Sequence, residues 1–486
     1  MYLGIDLGTS ELKALLLDQD HRIVGVARAP LTVERPRPLW SEQAPQQWWD
    51  ALETVVQGLR QAHPAEWAAV RGIGLSGQMH GAVLLDAAGA VLRPAILWND
   101  GRSTAQCEAL ARAVPGLGEI SGNLAMPGFT APKLLWVREQ EPDVFARVAR
   151  VLLPKDWLRL MLSGEAVSDL SDAAGTLWLD VGARDWSDAL LAATGLTRAH
   201  MPRLVEGSDA SAQLLPGLAA RWGLGSRVVV AGGAGDNAAS AVGMGLVEPG
   251  QGFVSLGTSG VVFVSTDRFL PNPAQALHAF CHALPGRWHQ MSVMLSAASA
   301  VQWATRAFGF ASEAALLEAA ATATPRDRCP LFLPYLSGER SPHNHAEAQG
   351  VLFGLTHAHG PAGIAYAVAE GVCFGLRDGL DTLRLPAGMP LREMALVGGG
   401  ARSAWWGQLL ADILGVPLAL YAGSETGGAL GAARLAWLAD GGRVSEVCAL
   451  PPRTRRFEPA AADAGLHAAR HVRFKALYQA LRSQFG

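Results

Sequence analysis

The sequence predicts an α/β protein of two similar lobes that face one another across a cleft. Three observations predict it. The chain has 486 residues, more than one ordinary hydrophobic core can use. The tetrapeptide Leu-Gly-Thr-Ser occurs at 7–10 and again at 256–259, each time with an apolar run on both sides, so a whole strand–bend–strand unit recurs and not merely four letters. Apolar strand-like runs are interleaved with stretches of helical period.

Taken in order, "YLGID" reads as a strand, "LKALLLD" as a second after a glycine-containing bend, "DQDHR" as a turn and "IVGVARAPLTV" as a third strand. This is a meander, unlike the strand–loop–helix that opens a dinucleotide-binding unit. "PQQWWDALETVVQGLRQA" has helical period, with Trp48, Leu52, Val55, Val56 and Leu59 on one face. "VRGIGLSG" reads as a buried strand that ends in the loop "GQMHG", and "GAVLLDAAGAVLRPAILWNDGR" as a hairpin bent near "DAAGA". The second half repeats the plan. "GQGFVSLGTSGVVFVSTD" is strand, bend, strand, and "EMALVGGGARSAWWGQLLADILG" is strand, glycine loop and helix, with Trp406, Leu409, Leu410 and Ile413 inward. Between them "AGGAGDNAASAVGMGLVEPGQG" is so rich in glycine and alanine that it predicts tight backbone approach or a hinge. The boundary is placed near residue 245, giving lobes 1–245 and 246–486.

Composition narrows the classes. Half the residues are hydrophobic and 17% are charged, which suits a packed globular enzyme and excludes a disordered chain. A net charge of −3 gives no reason to expect nucleic acid or an acidic membrane as partner. Asp6 and Glu11 interrupt the first apolar run and no basic segment precedes it, so no export signal is expected. Asp236 in one long apolar stretch, and Gln302 with Arg306 in another, argue against membrane spans. Cys107, Cys281, Cys329, Cys373 and Cys448 show no CxxC spacing, which reads as reduced thiols in a cytoplasmic protein.

Several short stretches could carry chemistry. In "DLGTS" (Asp6, Gly8, Thr9, Ser10), with Lys13 three residues on, a tight bend offers backbone N–H groups and hydroxyls to phosphate oxygens, and Asp6 could hold a hydrated Mg²⁺. The competing reading is an ordinary hairpin turn. The second copy (Gly257, Thr258) lacks the acid and could close on the far side of a triphosphate. In "GGAGDNAAS", Asp236 is either a helix cap or a base that accepts a hydroxyl proton in phosphoryl transfer; the crowded glycines favour the base by letting a substrate approach the backbone. "GQMHG" (Gln78, Met79, His80) and "ILWNDGR" (Asp100, Arg102) supply the directional donors and acceptors that match a polyol. Against this, His80 could be a structural histidine and Asp100–Arg102 a surface ion pair. "LVGGGARS" (Gly399, Gly400, Ala401) would let a flat ring such as adenine lie against backbone, a weak signal alone.

In order along the chain, "GIDLGTSELK", "GQMHG", "ILWNDGR", "TAPKLLWV", "LLPKDWLRL", "SDLSDAAGT", "GAGDNAASAVG", "SLGTSGV", "FLPYLSGERSPH", "GGGARS" and "ETGGALGAARLA" together resemble the FGGY carbohydrate kinases, from Met1 to about residue 440. The resemblance implies a duplicated ribonuclease-H-like fold of the actin, sugar-kinase and chaperone-ATPase kind, with sugar mainly on the first lobe and nucleotide on the second. It implies ATP-dependent phosphorylation of a ketopentose, D-xylulose, at its terminal hydroxyl, with ATP and Mg²⁺ required. Asp236 would be the base and Asn237, Met79 and His80 would meet sugar. Asp6 would act through metal and phosphates. Thr9, Ser10, Lys13, Gly257 and Thr258 would meet phosphate, and Gly399, Gly400 and Ala401 would bound the adenosine. Glu11 and Ala234 depart from the family pattern, and Glu11 is expected to turn to solvent. Sister kinases for ribulose, fuculose, glycerol or gluconate, a nucleotide-switched binding protein and a silent sugar sensor stay open, as does assembly as a homodimer.

Overall fold

The computed structural model describes residues 1–389, 391–423 and 427–485; Glu425 and Thr426 of "ETGGALGAARLA" lie outside them. Two seven-stranded mixed sheets organise the described residues. In the first, Ile23–Pro30, Glu11–Leu17 and Tyr2–Leu7 form the antiparallel meander; Gly72–Gly77 and Val229–Ala231 then add in parallel, and Ala210–Gln213 closes the edge antiparallel. In the second, Trp288–Met294, Gly260–Thr266 and Gly252–Leu256 form the meander. Met394–Val397 and Leu418–Tyr421 add in parallel, and Arg453–Phe457 closes antiparallel. The pairing pattern is thus the same strand for strand, with His278–Cys281 as an extra edge in the second sheet. The duplication predicted from two hairpins extends to both whole sheets, as the ribonuclease-H-like duplication requires.

Helices cover both sheets. Pro45–Ala62 buries Trp48, Leu52, Val55, Val56 and Leu59 against the first, the face its apolar period predicts. Ala404–Leu414 buries Trp406, Leu409, Leu410 and Ile413 under the second. Helix Gly427–Ala439 crosses back. It lies far along the chain, yet it packs over strands Tyr2–Leu7 and Gly72–Gly77 of the first sheet and beside helix Asp236–Met244. That seat needs glycine in the sheet, because a Cβ at Gly74 would overlap the Ala432 carbonyl.

One predicted element differs. The bend after "VLL" forms, with Asp86 Oδ1 accepting from Ala88 and Ala90 N–H at 3.0 and 2.9 Å. The long hairpin forms only in part. Its arms meet through the bridges Leu85–Val91 and Ala82–Ile96 and the Leu92 N–H bond to the Leu84 carbonyl, while Val83–Leu85 takes Arg150–Leu152 as its strand partner. Apolar runs on both sides of a turn specify strands but not which strand each will pair with.

Candidate active site

The pairing registers bring three predicted loops to one rim. Asp6 lies opposite Ser76, and Leu7 opposite Gly77, in a parallel pair; Ala234 and Gly235 then pair with Ser76 and Gly77. The bend Gly8–Ser10, the loop Gln78–His80 and Asp236 therefore all leave the carboxyl end of the first sheet together, the position at which open α/β sheets bind ligands. The second sheet does the same with its own copy. Ser255 pairs with Val397 in parallel, so the bend Gly257–Ser259 and the loop Gly398–Arg402 share a rim.

Asp236 is the first residue of helix Asp236–Met244, whose N-cap is Gly235, so it does not cap the helix. Its Oδ1 accepts from the N–H and Nδ2 of Asn237 at 2.7 and 2.8 Å. Burial, then the nearby Asp6 carboxylate, push its carboxyl up to about 6 against those bonds. Asp6 is itself raised by burial, while the Ser76 hydroxyl and Lys13, its cross-strand partner, pull it down. The start of helix Gly427–Ala439 closes on Asp6 so tightly that a Cβ at Gly428 would lie 2.7 Å from Asp6 Oδ2. Two carboxylates at one rim beside a glycine-rich helix start can bind a hard cation and hold one proton acceptor near neutrality.

The first bend is braced from behind. The Thr9 hydroxyl donates to Gln78 Oε1 at 3.0 Å and accepts from Trp98 Nε1 at 2.9 Å. Gln78 Nε2 donates to Gln43 Oε1 at 3.1 Å, and Gln43 Nε2 donates to the Thr9 carbonyl at 2.7 Å. The Gln78 amide and Thr9 hydroxyl are therefore occupied by one another. The Gly8 N–H is given to the Glu11 carbonyl at 3.0 Å, so what the bend keeps for a ligand is the N–H groups of Thr9 and Ser10 and the Ser10 hydroxyl. Glu11 turns away as expected, pairing with Arg28 at 2.8 Å and with Lys13 at 3.8 Å. Ala234 is fully buried in its strand pairing with Ser76.

His80 holds a left-handed backbone (φ 70°), a strained state for a non-glycine residue. Its carbonyl accepts from Thr130 Oγ1 at 3.1 Å and from the buried Lys133 Nζ at 2.8 Å, which hold that conformation. Nδ1 lies 2.6 Å from the Gly175 carbonyl, so Nδ1 carries the proton and Nε2 is left as an acceptor. Burial pushes this imidazole down to about 3, which keeps it neutral. Phe129 stacks edge-on at 4.5 Å.

Asp100 and Arg102 are neither a surface pair nor free to meet a ligand. Asp100 accepts from Arg102 N and Nε, both at 2.9 Å, from Arg102 Nη2 at 2.7 Å and from Ser41 N at 2.6 Å. Arg102 also pairs with Glu42 at 2.7 Å and lies 3.6 Å over the Trp40 ring. Both side chains are buried and turned to partners within the protein, so the pair braces the loop. The crowded glycines are corrected too. Added Cβ atoms at Gly232, Gly233 and Gly235 would strike the Glu206 carbonyl, the Leu75 carbonyl and Met79 Sδ, so the close approach they permit is made by the chain itself and not by a ligand.

A hub the sequence reading assigned no role lies behind Asp236. Lys155 sits in contact with Asp156, Asp169 and Asp172 at 2.6, 2.7 and 3.1 Å, all buried. Burial alone would lower Lys155, but the three carboxylates raise it, while burial raises Asp172 well above the usual carboxylate range. Asp169 holds the N–H of Ser171 at 2.8 Å, and Ser171 Oγ accepts the Gly235 N–H at 3.1 Å. The hub therefore sets the backbone one residue before Asp236. Its signal was present in "LLPKDW" and "SDLSDAAGT", but a lysine and three aspartates apart in sequence do not announce that they meet.

Against the second rim lies a cavity of about 960 Å³ lined by Gly257, Thr258, Gly399 and Gly400, with Gln302, Leu317, Arg402, Ser403 and Trp405 added. Ala401, predicted beside them, is buried and does not line it. The walls from Ala298–Ala307 and Glu313–Ala321 were not predicted, since nothing local in those helices says what they face.

Two lobes that each carry a Gly-Thr-Ser bend at the rim of a duplicated mixed sheet suit a two-lobed phosphotransferase, and the chain belongs to the FGGY family of carbohydrate kinases. Residues 1–243 match the family's N-terminal domain and residues 252–439 its C-terminal domain. A xylulose kinase of Escherichia coli K12 is 52% identical over 483 residues, 99% of each chain. The crystal structure of a xyloylose kinase from Brucella ovis superposes with a TM-score of 0.96 at 51% identity, covering 99% of both chains. That of a xylulose kinase from Rhodospirillum rubrum gives 0.92 at 30% identity over 100% and 99%. Among the described residues no helix is long and apolar enough to cross a membrane.

Proposed function

We propose that this protein transfers the γ-phosphoryl group of ATP to the terminal hydroxyl of D-xylulose, giving D-xylulose 5-phosphate and ADP. The near-full-length relatedness to xylulose kinases supports the substrate. The observation that carries the mechanism is the Asp236 carboxyl, raised to about 6 beside Asp6 at the rim shared by the Gly8–Ser10 and Gln78–His80 loops.

Sugar binds at Met79, His80 and Asn237 on lobe 1–245, and nucleotide on lobe 246–486, with helix Gly427–Ala439 tying the second lobe to the first sheet. His80 Nε2 accepts a sugar hydroxyl. Asp236 accepts the proton of the terminal hydroxyl as that oxygen bonds to the γ-phosphorus and the bond to the β,γ-bridging oxygen breaks. The N–H groups of Thr9 and Ser10, with Lys13, Gly257 and Thr258, take phosphate oxygens. Gly399 and Gly400 bound the adenosine, with Ala401 behind them. Gln78, Asp100 and Arg102 act at one remove, by bracing those loops. Asp6 and Asp236 are hard oxygen donors that fit Mg²⁺, with Asp6 as its ligand; the ion supplies charge neutralisation on the phosphates. Closure of the cleft keeps water from the γ-phosphate. Five free, buried thiols suit a reducing compartment, and we place the enzyme in the cytoplasm.

A coupled assay of ADP release across ketopentoses, polyols and gluconate, with and without Mg²⁺, tests this. D-xylulose should give the highest kcat/KM and turnover should require Mg²⁺. Sugar binding without ADP release, or faster turnover of another sugar, would overturn the reading.

A further inference from the structure

Opposite the Gln78–His80 loop, the second half of the chain presents Arg340, from "SGERSPH". Its backbone is pinned on both sides. The Glu339 carboxylate accepts from Leu295 N–H at 2.9 Å and from the N–H of Arg340 itself at 2.8 Å. Ser341 donates its N–H to the Val293 carbonyl at 3.0 Å and its hydroxyl to the Ala276 carbonyl at 2.7 Å. The segment that pins it, 293–295, runs on into Ala297 and Ala298, whose N–H groups close the Gly257–Ser259 bend at 3.0 and 2.8 Å. Arg340 is thus fixed at the junction of the second phosphate bend and the sugar side of the cleft.

Its guanidinium is not engaged. Among the described residues it makes no hydrogen bond and no ion pair, although the side chain is half-buried. Other buried arginines have partners on the guanidinium: Arg102 pairs with Asp100 and Glu42, and Arg470 with Glu370 and three carbonyls. Glu339 does not neutralise it, since burial outweighs two backbone N–H bonds and pushes that carboxyl up to about 8. An unpaired cation in such a place costs stability and supplies nothing to the fold. Its neighbours point to what it serves. The Ser341 hydroxyl bond to the Ala276 carbonyl sets Arg340 beside the start of strand His278–Cys281, whose Phe280 ring lies 6.3 Å from that of His80; its charge adds to burial in keeping His278 neutral, and to burial and Lys133 in keeping His80 so. His278 joins the halves here, with Nδ1 2.7 Å from Oδ1 of Asn123, and Phe129 lies between it and His80, 5.8 and 4.5 Å from the two rings. Arg340 does not line the nucleotide cavity.

We propose that Arg340 is a sugar-contacting residue supplied by the second lobe, its planar guanidinium donating to oxygens of the ketose held at His80. The inference rests on the ketopentose reading of this site. Five fixed N–H donors suit a ligand with carbonyl and hydroxyl acceptors on adjacent carbons, and His80 Nε2 supplies the complementary acceptor. A contact made from the far lobe also makes sugar binding favour closure.

The test uses the full-length chain with Arg340→Met and Arg340→Lys. Loss of a charged donor to bound sugar should raise KM for D-xylulose about 10- to 100-fold in Arg340→Met, with KM for ATP unchanged and kcat much less affected. Without ligand the Met variant should melt no lower than the parent, and the rise in melting temperature that D-xylulose alone gives the parent should disappear. Arg340→Lys should recover part of both sugar effects. An unchanged KM for sugar, a loss confined to kcat, or KM for both substrates worsening together with a lower melting temperature would overturn the proposal. The parent's own turnover separates the two readings: if it favours another sugar of the panel, the D-xylulose assignment fails and the Arg340 comparison is run on that sugar.

Discussion

Replacing Asp236 by Asn should make this protein slower and more stable at once. Asparagine keeps the size of the side chain, and its Oδ1 can still accept the two Asn237 bonds, but it cannot take a proton. The carboxyl rises from an ordinary 3.8 to about 6, so its ionisation in the fold costs up to about 3 kcal/mol. An acid raised in this way ionises first in the unfolded chain. The penalty is absent below pH 3.8, grows between there and about 6, and is constant above. Asp236→Asn should therefore gain up to about 3 kcal/mol at pH 7.5 and nothing near pH 3.5, read from denaturant unfolding at both values. Turnover at saturating sugar and ATP should fall about 10²- to 10⁴-fold, the usual worth of a positioned base. In the parent, kcat/KM should climb about tenfold per pH unit below 6 and level off above it. A variant that keeps most of its rate, or that is less stable at pH 7.5, would make Asp236 a structural residue of its helix and remove the mechanism.

Three further perturbations probe the same rim and its partner. Asp6→Asn removes the charge that is second to burial in raising Asp236, so whatever turnover survives should show its acid limb at lower pH; a limb that does not move would mean the two carboxylates do not interact. Gly428→Ala sets a methyl 2.7 Å from Asp6 Oδ2, and should cost about 1–3 kcal/mol in thermal unfolding together with most of the turnover. Parental values of both would mean that helix Gly427–Ala439 does not close on Asp6. Gly400→Ala brings a methyl within 2.6 Å of the Trp406 ring and 2.8 Å of Leu256 Cβ, displacing a wall of the cavity at the second rim. KM for ATP should rise while KM for sugar holds, and an equal change in both would show that the loop does not act on nucleotide alone.

What was legible in the sequence was what adjacent residues decide. Tyr2–Leu7 with Glu11–Leu17, and Gly252–Leu256 with Gly260–Thr266, are apolar runs joined by a bend too short for anything but an antiparallel pair. Helix Pro45–Ala62 writes its buried face into a 3.6-residue period. What long-range pairing decides was not legible. Val83–Leu85 takes Arg150–Leu152 as its partner across 60-odd residues of chain, a choice that no local signal encodes. The return of helix Gly427–Ala439 to the first sheet is of the same kind. Its seat depends on a glycine at 74, which by itself reads only as a weak spot in a strand.

The candidate site divides along a similar line, and the division is physical. Asp6, His80 and Asp236 could be picked out because each stands at the end of an apolar strand, where a polar side chain has no packing reason to be. Asp100 and Arg102 could be picked out by the same rule, and for them it misled. Side chains two residues apart in a loop can fold back on one another, and these do so inside a cage of Ser41, Glu42 and Trp40 that comes from a distant segment. The rule therefore finds polar groups that need an explanation without saying whether the partner is a ligand or the protein. Counting partners decides it: Asp100 has four bonds from protein, whereas Asp236 has two to one oxygen and a raised pKa, and the Arg340 guanidinium has none among the described residues. By that count Asp236 and the Arg340 guanidinium are both short of partners, and a sugar with many oxygens held between them would supply what each lacks.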